Sequence, residues 1–149
     1  MRREVLAANF PRNFSGPLED RLAIRELLET YADAVNRVDR DLWASLWVED
    51  SHWDLSHYPE LGIVSGKDAI VELWASAMPH YPQLSFLLNP GMIRVDGDRA
   101  EARAYFSEVY AEPGTGKDKR ARACYNDRLV KQDGQWFFQS RSFTIIHQS

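Results

Sequence analysis

One cysteine, Cys124, is all that 149 residues contain, so no disulfide can form within the chain and the expected setting is a reducing cytoplasm. No run of about 18 apolar residues occurs, which argues against a membrane span. The start, MRREVLAANFPRNF, lacks an apolar stretch followed by small residues and so reads against secretion. Positive charge is not in excess: 18 Lys and Arg face 22 Asp and Glu, too few for the basic face a nucleic-acid partner requires. The four histidines, His52, His57, His80 and His147, have no metal-ligand spacing, so no metal site is expected. GxSxG, GxGxxG and P-loop patterns are missing as well, and no cofactor is expected.

What the chain does have is length for one core and many aromatic side chains: five Trp, six Tyr and seven Phe. That number suits both a core and the walls of a cavity for an apolar ligand. Residues 1–15 show no periodicity and read as an N-terminal arm, followed by a single domain over residues 16–149. Gly16-Pro17 opens a helix in which Ile24, Leu27, Leu28, Tyr31, Val35 and Val38 form one face. A second short helix is expected from Arg40 to Trp47, capped by Asp39. Ser51–Leu55 reads as a strand and His57–Ser65 as a loop. Ser65-Gly-Lys-Asp68 resembles a capping box before a helix over Ile70–Met78. Strands follow over Leu84–Val95, Arg99–Ala111, Arg120–Lys131 and Gln135–His147. Asp96-Gly97-Asp98 and Asp133-Gly134 turn the two hairpins. Helices first and a strand meander afterwards predict an α+β fold, with helices on one face of a curved antiparallel sheet and a pocket between them.

Strand alternation then picks out polar groups in apolar company. Glu108 shares a face with Ala104, Phe106 and Tyr110. Arg141 alternates with Phe137, Gln139, Phe143 and Ile145, and Asp127 with Tyr125 and Leu129. A buried charge needs a partner or solvent. Glu108 and Arg141 form an ion pair inside the sheet or lie on an edge strand whose apolar face is partly wet, or both handle the polar end of a ligand in a pocket. Tyr31 lies mid-stripe on the first helix, flanked by Asn36 and Asp39. It is either a core tyrosine bonded to a backbone carbonyl or a hydrogen-bond donor to a ligand. Asp33 falls on the opposite, solvated face. His57, followed by Tyr58, is either exposed or at a pocket mouth.

The order of these segments carries a resemblance. Leu18–Tyr31, Trp43–Trp53, Gly66–Ile70, Asn89-Pro90, Asp96–Asp98, Tyr125–Val130 and Asp133–Trp136 together resemble the SnoaL-like branch of the NTF2-like superfamily, over about residues 18–147. That superfamily holds ketosteroid isomerases, scytalone and bile-acid dehydratases, a hexachlorocyclohexane dehydrochlorinase, polyketide cyclases, dioxygenase β-subunits and ligand carriers. The resemblance implies a cone of one long helix, short helices and a bent sheet around a deep pocket. It implies that Tyr31 donates to an oxyanion, that Glu108 is a pocket carboxylate and that Arg141 reaches the pocket. It implies that Trp53 lines the pocket and that Tyr125 lies on a pocket-facing strand. The chain departs from the dehydratase pattern at Asn36, where those enzymes carry Asp, and in Leu84–Leu88, which lacks their histidine. At the isomerase base position stands Leu55, with Asp54 beside it on the other face.

Two functions follow as expectations. The first is a cofactor-independent dehydratase, isomerase or cyclase acting on a small hydrophobic, aromatic or polycyclic molecule that bears oxygen. Its catalytic groups would be Tyr31, Glu108, Asp39 and Arg141, with Asn36, Trp53, His57, Phe106, Tyr125 and Phe86 binding substrate. The second is a non-catalytic ligand-binding or assembly module of the same fold. A homodimer or homotrimer is implied in either case.

Overall fold

The computed structural model describes residues 13–149. Strand β1 spans Phe14–Ser15. Helices α1 (Leu18–Arg37) and α2 (Arg40–Ser45) lead to β2 (Trp47–Leu55) and β3 (Gly62–Ser65). Helix α3 (Lys67–Ala77) and a short 3₁₀ turn (Met78–His80) precede β4 (Ser85–Asp96), β5 (Arg99–Ala111), β6 (Asp118–Gln132) and β7 (Gln135–Gln148). The strands form one unclosed sheet in the order β1-β4-β5-β6-β7-β2-β3, with the three helices packed on it. The fold class is the expected α+β cone.

Helix α1 buries Ile24, Leu27, Leu28, Tyr31 and Val35 of the stripe read from its spacing, with Ala34 beside them, while Val38 falls past the helix end in a left-handed conformation and is exposed. The helix packs closest on β4 and β7, and the nearly fully buried Ala100, Ala102 and Ala123 of β5 and β6 belong to the same core. Its first turn is tied down by Asp20, which accepts from Lys131 Nζ (3.0 Å) and Trp136 Nε1 (3.1 Å) at the far hairpin. Asp39 caps α2 by accepting from the Leu42 amide at 3.1 Å. Four tryptophans, Trp43, Trp47, Trp53 and Trp74, then pack between α2, β2 and α3, with Trp43 stacked on Trp74 at 4.5 Å.

Several local expectations are corrected. The sheet is mixed, because β2 pairs with β7 and β1 with β4 in parallel. Asn13–Ser15 were expected in the arm, but Phe14–Ser15 add a strand to β4; residues 1–12 of that arm lie outside the described residues. Trp47 begins β2 rather than ending α2, and β3 occupies the end of the His57–Ser65 loop. No capping box forms at α3: its N-cap is Gly66, and Ser65 Oγ meets His52 Nδ1 instead.

The correction with most consequence lies in β7. Leu129 pairs with Phe138 but Arg128 with Ser140, so Gln139 is an extra residue, a β-bulge. Before it, Trp136 and Phe138 face inward. After it, Arg141 does, directly opposite Asp127. Strict alternation from Phe137 therefore fails for the first half of the strand.

Candidate functional site

Between α1, α3 and the inner face of the sheet lies a cavity of about 480 Å³. Its walls are mostly apolar: Trp53, Leu55, Trp74, Met78, Phe86, Phe106, Phe143 and Ile145. Into it project one carboxylate, Glu108, and the phenols Tyr31, Tyr58, Tyr81, Tyr110 and Tyr125.

Glu108 arrives there by strand geometry. It follows the inward Ala104 and Phe106 on β5 and pairs across the sheet with Phe86 and Ala121, both also buried. Burial alone pushes its carboxyl up to about 7, since neither an opposite charge nor a hydrogen bond offsets the loss of water among the described residues. The two cations lining the same cavity are engaged elsewhere, Lys119 with Glu112 at 3.3 Å and Arg120 with Asp118 at 3.4 Å. Burial, with the Glu108 charge beside it, raises the Tyr81 phenol to about 12 and raises Tyr110 too. Those hydroxyls therefore stay protonated and can donate.

Deeper in the cavity the hydroxyls of Tyr31 and Tyr125 meet at 3.3 Å. Tyr31 thus bonds to a side chain, not to the backbone carbonyl that a plain core tyrosine would find. The indole N–H of Trp53 is buried with no hydrogen-bond partner among the described residues. The ion pair inside the sheet joins Arg141 to Asp127, not to Glu108. Nε and Nη2 of Arg141 donate to the two carboxylate oxygens at 2.6 and 2.8 Å, with both side chains fully buried. Burial would lower the Arg141 pKa, but the Asp127 charge and these bonds more than reverse that, so the guanidinium stays charged.

The structure thus brings Tyr31, Glu108, Trp53, Phe86, Phe106 and Tyr125 to one cavity. It does not bring Asp39, Arg141, Asn36 or His57 there. Asp39 is the helix cap and also lies 3.8 Å from Arg37. His57 is exposed, edge-on to Tyr58 and near Phe143. Asp54 turns away and accepts from the Ser56 amide, which holds its carboxyl below the usual range.

Asn36 does a different job. Its Oδ1 accepts from the Phe86 amide at 2.7 Å, and its Nδ2 donates to the Phe86 carbonyl at 2.8 Å. It pairs with β4 as another strand would and fixes a cavity wall against α1. An aspartate there would face a carbonyl oxygen with a second oxygen. Asn36→Asp is expected to cost about 1–3 kcal/mol, read as a lower urea midpoint at neutral pH, with much of the loss recovered as acid protonates the new carboxyl.

Sequence reasoning left Asp127 without a role and missed Tyr58 and Tyr81 as lining groups. Tyr110 was visible on the Glu108 face. Asp127 shared a face with Tyr125, but its pairing with Arg141 depends on the bulge.

The SnoaL-like domain matches residues 16–142. The chain belongs to that family. No curated protein matches it. Several solved structures share the fold at low identity. Hexachlorocyclohexane dehydrochlorinase type 3 from Novosphingobium barchaimii is 18% identical, with TM-score 0.78 and coverage of 89% of this chain and 90% of that one. A provisionally assigned scytalone dehydratase from Novosphingobium aromaticivorans is 23% identical, with TM-score 0.78 and coverage of 89% and 87%. A provisionally assigned aromatic ring hydroxylase from the same organism is 26% identical, with TM-score 0.79 and coverage of 91% and 95%. Among the described residues no helix is long and apolar enough to cross a membrane.

Proposed function

We propose that this SnoaL-like domain is a cofactor-independent acid–base enzyme of the lyase or isomerase type, acting on a small apolar molecule that carries a carbonyl or hydroxyl. The observation that carries this reading is Glu108: a carboxyl in an apolar cavity, raised to about 7 by burial and ringed by protonated phenols. A base is most effective when its pKa lies near the working pH. In its ionised form Glu108 takes a proton from the carbon next to the substrate carbonyl. The C–H electron pair moves into the enolate, and the new negative charge settles on oxygen. The Tyr31–Tyr125 hydroxyls donate to that oxygen. The proton on Glu108 then returns to a second carbon in an isomerisation. In an elimination a β-hydroxyl leaves instead, protonated by a neighbouring phenol such as Tyr81 or Tyr110.

The same reading includes work in the cytoplasm as a homodimer or homotrimer. Leu87 and Tyr105, exposed at 68% and 46% on the outer sheet face, support self-association. The alternative is a non-catalytic ligand-binding or assembly module, which the departures from the dehydratase pattern at Asn36 and in Leu84–Leu88 favour. Incubation with 2-tetralone in heavy water separates the two. An enzyme exchanges the α-protons for deuterium, seen by NMR, whereas a binding module protects the ketone without exchanging it.

A further inference from the structure

Arg141 lies behind the cavity wall rather than in it. Its guanidinium carbon sits 3.7 Å from the Tyr125 ring centroid and 4.2 Å from those of Tyr31 and Phe138. Asp127 holds Nε and Nη2, while the buried Nη1 has no hydrogen-bond partner among the described residues. A fully buried cation therefore faces the rings of two tyrosines that line the cavity.

An ion pair that only filled the core would not need this arrangement. Aliphatic neighbours would enclose it equally well, and each tyrosine adds a hydroxyl that must be satisfied. The hydroxyls also carry a surplus. When one donates to the other across 3.3 Å, the proton of the acceptor has no partner within the pair and is free for a ligand. A cation against the face of a phenol draws on its π-electrons and favours negative charge on, or next to, the phenol oxygen. Burial holds the Tyr125 phenol up, and Arg141 is the neighbour that pulls it down.

We propose that Arg141, held by Asp127, is a positioning residue that makes the Tyr31–Tyr125 hydroxyl pair a site for the anionic oxygen of a phenol- or enol-bearing ligand. This rests on the pocket reading above, but not on Glu108 as the base. The test is equilibrium binding of para-cresol, para-chlorophenol, para-cyanophenol and para-nitrophenol to the Glu108→Gln protein, below the pH at which these phenols ionise in water. That background removes the cavity's one acidic side chain, so a failure of proton exchange in the native protein leaves this result unaffected.

Affinity is expected to rise at least about tenfold from the least to the most acidic phenol. Bound para-nitrophenol is expected to absorb as its phenolate. Two variants then remove the buried charges together: Arg141→Gln with Asp127→Asn, and Arg141→Met with Asp127→Leu. In either one that folds, the dependence on acidity and the phenolate absorbance are expected to vanish. A merely structural pair would lower stability without changing that slope. Equal affinity for all four phenols in the Glu108→Gln protein would overturn the proposal, as would an unchanged slope in a folded neutral variant.

Discussion

Glu108→Gln is expected to lower proton exchange into 2-tetralone by about 10²–10⁴-fold while the ketone still binds. The reason lies in the site's charge balance. Glutamine keeps the size and polarity of the side chain on β5, so the contacts with Phe86 and Ala121 on neighbouring strands remain. It cannot accept a proton from carbon. No other acidic side chain lines the cavity among the described residues, so no second side-chain base stands in. Binding rests on the aromatic walls and the tyrosine pair, which the change leaves in place. Full exchange by the variant would remove Glu108 from the chemistry. Lost binding together with lost exchange would show a disturbed pocket instead.

Arg141→Ala is expected to destabilise the protein by about 3–5 kcal/mol, a large part of the about 5–15 kcal/mol that holds a domain folded. Three losses coincide. The Asp127 carboxylate is left fully buried without the two bonds of 2.6 and 2.8 Å. The contacts with Tyr31, Tyr125 and Phe138 vanish. A cavity opens where the long side chain stood. Arg141→Met combined with Asp127→Leu is expected to regain most of the loss, because an apolar pair leaves no buried charge behind. Urea unfolding of the three proteins measures this. A single variant as stable as the native protein would show that Arg141 is not locked in the core as described.

The contrast between these two residues shows how far the sequence could be read. Glu108 was legible because β5 alternates without a break, so its place beside Ala104 and Phe106 follows from period two alone. Asp133-Gly134 was legible as a hairpin because both residues take positive φ, 51° and 79°, as a tight turn between twisted strands demands. Arg141 was legible as an inward residue beside Phe143 and Ile145, but the inward facing of Trp136 and Phe138 was not: it follows from one extra residue at Gln139, and a bulge leaves no mark in composition or periodicity. Asp127, the partner of Arg141, was legible as an inward residue, but only the shifted register sets the two opposite each other. Asn36 and Asp39 show the limit of reading helix ends. Both flank the Tyr31 stripe, yet one is bound to the Phe86 backbone and the other to the Leu42 amide. Such backbone partners come from distant strands or from capping geometry, and neither is encoded in residue type alone.

The account turns on a carboxyl kept from water inside an apolar cavity, and the most direct test of that is its own titration. NMR of the Glu108 carboxyl carbon, assigned by its disappearance in Glu108→Gln, follows the group as pH is raised. The account predicts a midpoint near 7. The folded state then binds one more proton than the unfolded chain between about 4.5 and about 7, so stability falls with rising pH across that window, and Glu108→Gln abolishes the fall. A midpoint at the ordinary 4.5, with stability flat across the same window, would contradict it.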